Sequence, residues 1–394
     1  MSTQPGPTIG EYLADLEKAV EELANTWRPD DPAYRADVYR QIMMNLSYAY
    51  FVYFHADPEH PDWAPLWNPV YTHQPNPDDI YLYAPLRGDL TYRVSGDRGT
   101  VRLLMFNTAN SFPGLEDERP QNPCGSFLDA KDLEIGPNGE LEVIFSAERP
   151  AGHTGNWAPM PREATGMMVR YRSVDWANER DPQLSIECLD RVPLKRRLGS
   201  EEILERIQTM AKYPGRLAKR FLELQNGTKA RVGVNVFEKI EFSGGGGVSS
   251  QTYLPAVYEL DDGEALIVET DMPQVRRYWN IQVNDPYFNA VEYVYRLSSL
   301  NEATAKLSSD GKFRAVVALE DPGVPNWLDT AGFKEGTLYG RWYECDSSPL
   351  PTIKRVPLAD VRKHLPADTP VVTPEERAEE IRARVRAAQR RRRW

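Results

Sequence analysis

Asn138-Gly139, the alternating run 141–147, Arg149-Pro150, Asn156-Trp157 and Arg170-Tyr171 follow one another along the first half of this chain. The second half repeats the series as Asp310-Gly311, the run 313–319, Asp321-Pro322, Asn326-Trp327 and Arg341-Trp342. The glycine-to-tryptophan separations are 18 and 16 residues, and the tryptophan-to-arginine separations 13 and 14. An ordered set of this kind points to internal duplication, which takes precedence over any short motif. In each half a Gly turn opens a strand, a Pro turn closes it, a Trp plugs the core and an Arg-bearing strand returns. The fold this implies is mainly β with flanking helices, built as two related antiparallel β-sandwich domains.

The 394 residues suit two to three domains of roughly 150 residues each. With 32 Pro and 26 Gly the composition favours short elements and turns, and 20 Tyr, 12 Phe and 9 Trp supply the large side chains of strand-rich cores. No apolar run approaches the roughly 18 residues of a membrane span. Cys124, Cys188 and Cys345 are odd in number and lack CxxC spacing, so neither a disulfide framework nor a zinc site is indicated and a reducing cytoplasm is expected. Residues 1–10 show neither the basic nor the apolar region of a secretory signal. Seven arginines between 382 and 393 face no acid, so without that tail the formal charge falls from −11 to −18. An acidic body of this kind lacks the basic surface that phosphate binding requires, which excludes nucleic acid as the expected partner.

Helical spacing covers 9–27 and 34–54, and residues 57–79 read as an ordered Pro-rich loop pinned by Trp63 and Trp67. Short strands are expected at 80–84, 90–95, 100–107, 141–147, 167–172 and 183–189, and again between 253 and 356. A helix over 201–224 should break or kink at Tyr213-Pro214-Gly215. The resulting division is an N-terminal helical segment and loop (1–79), a first sandwich (80–195), a linking helical segment (196–229), a second sandwich (230–360) and a C-terminal helical tail (361–394). In that tail Thr373 caps and Pro374 opens a helix with acids first and arginines last, which suits the helix dipole. Its apolar stripe is narrow, so docking on an acidic surface is expected, with a homo-oligomer through this helix favoured over attachment to its own subunit.

Arg277-Tyr278-Trp279-Asn280, Ser309-Asp310-Gly311, Pro325-Asn326-Trp327-Leu328 and Gly340-Arg341-Trp342-Tyr343 resemble the module called domain of unknown function 1214. The segments 76–81 and 91–96 are similar to what precedes that module in its relatives. The match is closest over the C-terminal third and looser over the first half. The sequence departs from the family's Asn-Trp-Leu-Pro by having Asp329 after Leu328, while Asn156-Trp157-Ala158-Pro159 keeps the Pro and loses the Leu. The resemblance implies two jelly-roll-like sandwiches and almost no chemistry.

Several clusters carry residue types suited to chemistry. His55, Asp57, Glu59 and His60 lie within six residues at a helix end, where a solvated terminus is favoured over a metal, so no metal is expected. No GxSxG elbow is present, and Gly244–Gly247 lacks the Lys of a phosphate loop. Asp78 and Asp79 precede a strand, with Tyr81 and Tyr92 near in sequence. They read either as a turn or as paired carboxylates for general acid or base work. Trp157 with Arg170 and Trp327 with Arg341 recur, which argues first for packing. Trp279 and Asn280, beside Arg277, lack a close first-half equivalent beyond Phe106-Asn107.

Two functions follow as expectations. One is an enzyme acting on a small, partly apolar organic metabolite by acid/base chemistry, a hydrolase, lyase or isomerase without a redox or other cofactor, since no dinucleotide or haem motif is visible. Its catalytic residues would be Asp78, Asp79 and Tyr92, and its substrate-binding residues Trp279, Asn280, Arg277 and Tyr81, in the cleft where the 57–81 loop meets the sandwiches. The other is a non-catalytic sandwich that holds a sugar or a partner on aromatic side chains.

Overall fold

The computed structural model describes residues 8–25, 30–109, 126–241 and 250–391. Cys124 and the glycine run at 244–247 lie outside them. Helix α1 (Ile9–Ala24) begins at a capping box of Thr8 and Glu11, and α2 (Pro32–Ala49) begins at an Asp31 cap with Pro32 in its first turn. Both rest on the 33-residue α3 (Ser200–Val232) through Leu16, Leu23, Val38, Ile42, Ala218 and Leu222. The expected break at Pro214 does not occur, and α3 runs through it. The Pro214 carbonyl accepts from Asn45 Nδ2 at 2.9 Å, and a Cβ on Gly215 would stand 2.7 Å from that of Ala19. Pro214 and Gly215 therefore serve the contact of α3 with α2 and α1, and that packing offsets the hydrogen bond the proline cannot make.

The first sandwich contains β1 (Ala64–Pro65), β2 (Asp79–Pro85), β3 (Tyr92–Asp97), β4 (Leu103–Ala109), β5 (Ser126–Asp129), β6 (Glu140–Ser146), β7 (Trp157–Pro159), β8 (Gly166–Arg172) and β9 (Gln183–Cys188). The second contains β10 (Ile240–Glu241), β11 (Gln251–Glu259), β12 (Glu264–Thr270), β13 (Arg276–Asn284), β14 (Ser299–Asn301), β15 (Phe313–Ala318), β16 (Trp327–Asp329), β17 (Glu335–Cys345) and β18 (Thr352–Pro357). The sheet orders are β1-β2-β8-β4-β5 over β7-β6-β3-β9, and β10-β11-β17-β13-β14 over β16-β15-β12-β18. Strand for strand, the second pair repeats the first.

The repeated Asn-Trp pair is a structural clamp. Asn156 Nδ2 donates to the carbonyls of Glu134 and Glu142, and its Oδ1 accepts from Glu134 N–H. Asn326 does the same with Lys306 and Arg314. Each clamp ties a loop to the sandwich and starts a short parallel strand, which puts Trp157 opposite Ile144 and Trp327 opposite Val316.

Alternation along the central strands decides what faces where. Met167, Val169 and Tyr171 of β8 fill the first core, and Leu338 and Trp342 of β17 the second. Met168, Arg170 and Arg172, with Tyr339, Arg341 and Tyr343, therefore project from the other side of each sheet. These outer faces are also buried. Tyr81, Tyr83, Met168, Tyr253 and Tyr339 join Tyr48, Tyr213, Phe221 and Phe288 in a third apolar cluster beneath α2 and α3.

The last helix, α4 (Pro374–Arg390), docks on its own chain, which corrects the expectation that a neighbouring subunit holds it. Arg377, Arg384 and the adjoining Arg391 recur every seven residues and are all buried. Arg377 pairs with Asp321 and lies 5.6 Å over the Trp327 ring. Arg384 donates to the Tyr293 carbonyl and to Ser299 Oγ and lies 4.6 Å over Trp176. Arg391 reaches the Pro77 carbonyl at 3.3 Å and Asp181 at 3.4 Å. Arginine stems and guanidinium planes thus supply the buried stripe that apolar residues do not. Among the described residues, no helix is long and apolar enough to cross a membrane.

Candidate functional site

Where the outer faces of β2–β8 and β11–β17 approach each other under α3, they leave a cavity of about 440 Å³. Trp67, His73 and Gln74 from the loop before β2 close one side, and Arg220, Phe221 and Leu224 of α3 another. Tyr253, Phe288 and Tyr339 make an aromatic wall, and Asp79, Tyr81, Arg170, Arg172, Gln251 and Arg341 a polar floor.

The floor is assembled by strand register. Asp79 stands opposite Arg172 and Tyr81 opposite Arg170 in the first copy, and Gln251 opposite Tyr343 and Tyr253 opposite Arg341 in the second. Arg172 grips Asp79 with two prongs, Nε to Oδ1 at 2.5 Å and Nη2 to Oδ2 at 2.7 Å, and its Nη1 donates to Gln251 Oε1 at 3.1 Å. Its guanidinium lies 4.0 Å from the centre of the Tyr278 ring. Burial alone would raise the Asp79 pKa, but the Arg172 pair, with Arg170 and Arg341 behind it, holds this carboxyl below the usual carboxylate range. Tyr81 donates to Asp79 Oδ2 at 3.2 Å.

Asp78 faces elsewhere. Its Oδ1 accepts from Trp176 Nε1 at 2.9 Å and Asn301 Nδ2 at 2.7 Å, and its Oδ2 from the Tyr278 hydroxyl at 2.5 Å. Burial, with the neighbouring Asp79 charge, pushes its pKa up in spite of these donors. The two carboxyls are thus driven apart in pKa, yet only Asp79 lines the cavity. An ionised carboxylate with both oxygens held by an arginine is a poor general acid.

His73 is the histidine of this site. It sits at φ 63°, with Tyr71 at 59° and Gln74 at 52° also left-handed, a conformation that non-glycine residues seldom adopt. Its ring stacks 5.3 Å from Trp67 and meets Phe221 edge-on at 4.9 Å. Nε2 lies 3.2 Å from the Tyr213 hydroxyl, and Nδ1 has no hydrogen-bond partner among the described residues. Burial, then the Arg220 charge, holds the imidazole well below its ordinary pKa, so it is neutral at neutral pH.

The residues expected from sequence divide accordingly. Asp79 and Tyr81 line the cavity, and Asn280 stands behind it, donating to Asn76 and accepting from Arg341 Nη1 at 3.2 Å. Tyr92 does not join them. It is buried in the first core on the other sheet, with its hydroxyl on the Pro58 carbonyl. Trp279 packs inside the second sandwich, 4.9 Å from Phe313, because alternation sends it to the face opposite Asn280. Its first-copy counterpart is Leu104, and that of Asn280 is Met105, which corrects the assignment to Phe106-Asn107. Arg277 clamps the sandwiches together, donating to Asp129 at 2.7 Å while its carbonyl accepts from Arg102. Arg170 and Arg341, read as packing partners of the repeated tryptophans, project into the cavity instead. Their signal was the strand period, which separates them from the core residues on either side. At the other cluster, His60 engages Asp57 at 3.4 Å and the Val192 carbonyl at 3.1 Å. Among the described residues, no group of three His, Cys, Asp or Glu could hold a metal ion.

Fold and site together define a duplicated β-sandwich protein with an arginine-floored cavity at the seam of its two copies. Residues 84–173 and 261–347, which contain β3–β8 and β12–β17, each match the family model described as "Protein of unknown function (DUF1214)", in agreement with the internal repeat. A solved structure of an uncharacterized protein from Burkholderia cenocepacia is 29% identical with a TM-score of 0.81, covering 89% of this chain and 97% of that one. A second, from Vibrio parahaemolyticus, is 14% identical with a TM-score of 0.49, over 87% and 100% of the two chains. No curated protein matches the sequence.

Proposed function

We propose that the cavity between the copies binds a small, partly apolar organic molecule. The observation that carries this reading is the cavity itself: about 440 Å³ at a domain junction, aromatic on one side and polar on the other. Thermal-shift screening against a metabolite panel tests it, because a ligand at 100 times its dissociation constant stabilises the fold by about 2.7 kcal/mol. A compound that raises the melting temperature of the wild type and loses its effect in Tyr339→Ala supports the reading. A panel of apolar-bodied acids, alcohols and amides without a single hit overturns it.

A second reading, acid/base catalysis on that molecule, draws support from His73. A neutral imidazole with one unpartnered nitrogen on a cavity wall suits proton abstraction, a role the paired Asp79 fills poorly. In this reading His73 replaces Asp78 and Tyr92 as the proton-transfer group. Turnover of the bound compound, followed by mass spectrometry, should fall roughly a hundredfold or more in His73→Asn while binding persists. We also place the protein in the cytoplasm, where Cys188 and Cys345, both free, remain reduced. Association through α4 would use its outward face, with Arg382 and Arg386, and light scattering with and without 374–394 tests it.

A further inference from the structure

The two copies differ where they face the cavity. Asp79, Tyr81, Arg170 and Arg172 of the first stand where the second has Gln251, Tyr253, Arg341 and Tyr343. Arg170 has been kept as Arg341, while the Asp79–Arg172 pair has given way to Gln251 and Tyr343. Arg170 retains Asp79, with Nε 3.7 Å from Oδ2, and lies 5.0 Å over the Tyr81 ring. Arg341 has the same aromatic support, 5.0 Å over Tyr339, but its hydrogen bonds run to the neutral Asn280 Oδ1 at 3.2 Å and Gln282 Oε1 at 2.7 Å. Gln251, in the place of the missing carboxylate, turns to Arg172. Among the described residues Arg341 forms no ion pair, although it is only 4% exposed.

The charge of the floor follows. Arg170, Arg172 and Arg341 surround one carboxylate, Asp79, and all four are at least nine-tenths buried. Of the other carboxyls nearby, Asp78 is taken up by Trp176, Asn301 and Tyr278 on the far side, and Glu223 lies exposed on α3 at the cavity wall, where its charge acts on Arg220. A buried guanidinium without a carboxylate is strongly unfavourable, and a fold that needed only shape at this position would be at least as stable with a neutral side chain. Kept beside a cavity, such a charge is a seat for an anion. The guanidinium fork suits the planar pair of oxygens of a carboxylate, and the adjoining wall of Tyr253, Phe288 and Tyr339 suits an apolar body.

We propose that the ligand is a small organic acid whose carboxylate is held by Arg341, with Arg170 as the second donor and its apolar body against the aromatic wall. This rests on the reading of the cavity as a small-molecule site. The test is calorimetry on the full chain with phenylacetate, benzoate and isovalerate, each beside its primary amide and beside inorganic phosphate. Wild-type protein should bind at least one acid roughly tenfold to a hundredfold more tightly than its amide, the range of a charge-assisted contact. Arg341→Gln should abolish that preference and leave the affinity for the amide unchanged.

Equal binding of acid and amide by the wild type overturns the anion seat and leaves the cavity reading standing, whereas failure of every organic probe overturns both. Phosphate binding as tightly as the acids overturns the carboxylate assignment. A ligand-free measurement adds a second decision. If Arg341 is an anion seat, Arg341→Met melts at or above the wild-type temperature. A melting point several degrees lower would make Arg341 a structural clamp and end the proposal.

Discussion

Asp79 and Gln251 hold the same position in the two copies, and both accept hydrogen bonds from a single guanidinium, that of Arg172. One arginine of the first sandwich thus uses its own carboxylate and reaches across the seam for the amide that replaced the second. Asp79→Asn should leave Arg172 and Arg170 without a counter-charge and cost about 3–5 kcal/mol at neutral pH, read from urea midpoints. Because the folded-state pKa of Asp79 is depressed, its contribution is fully present above the unfolded value of about 4 and is lost as pH falls through the lower folded value. The gap between wild type and variant should therefore hold down to about pH 4 and close below it. A gap that stays constant through the acid range would count against the ion pair.

His73 gives a pH dependence of the same sign as that of Asp79, in a higher window. Its pKa is lowered by burial and by Arg220, so the unfolded chain takes up a proton near pH 6.5 while the folded protein does not. Stability should decline on acidification from about pH 6.5, by at most about 1.4 kcal/mol per pH unit from this group. His73→Asn should lack that slope. Matching slopes in the two proteins would show that the folded imidazole takes up its proton as readily as the unfolded one.

The two Asn clamps make the same hydrogen bonds but differ in backbone. Asn326 sits at φ 58°, a left-handed conformation that costs Asn less than Ala. Asn156→Ala should cost about 1–3 kcal/mol for its lost hydrogen bonds, and Asn326→Ala about 1 kcal/mol more. Asn326→Gly should recover that increment. Equal losses in the two alanine variants would refute the backbone contribution.

Helix α4 is held by buried arginines, so salt should not release it. Coulombic docking of an exposed basic tail weakens steeply with ionic strength, whereas pairs such as Arg377–Asp321 and hydrogen bonds such as that of Arg384 to Ser299 are shielded from ions. Proteolysis after residue 374 should stay slow from low salt to about 1 M. Arg384→Ala, which opens the space over Trp176, should speed it at every salt concentration. Cleavage that accelerates with salt in the wild type would restore the picture of an exposed electrostatic tail.

The architecture was legible because duplication and strand period are local signals. The strands expected at 80–84, 141–147 and 167–172 appear as β2, β6 and β8 within a residue or two at each end. The site was half legible. Asp79 and Tyr81 announced themselves by composition and place, but Tyr92 and Trp279 were grouped with them by nearness in sequence, which pleating and sheet membership undo. Trp279 and Asn280, one residue apart, face opposite sides of β13. His73 could not be read in advance, since its role depends on left-handed loop residues and on Tyr213 and Phe221, well over a hundred positions away. Pro214 misled for a related reason: the contacts that keep α3 whole come from α1 and α2, outside any window that contains the proline.

The tandem arrangement of the copies gives this cavity a freedom that a symmetric homodimer of one copy would lack. In such a dimer every substitution appears twice, so losing the carboxylate on one rim would lose it on both, and the Arg172 anchorage would go with it. Joined in one polypeptide, the halves can diverge separately: one keeps Asp79 to lock the sandwiches together, and the other, with Gln251 in its place, leaves Arg341 to the acid we propose as its ligand. Changes at Gln251, Tyr253 or Tyr339 can therefore retune which molecules are accepted while the lock stays untouched.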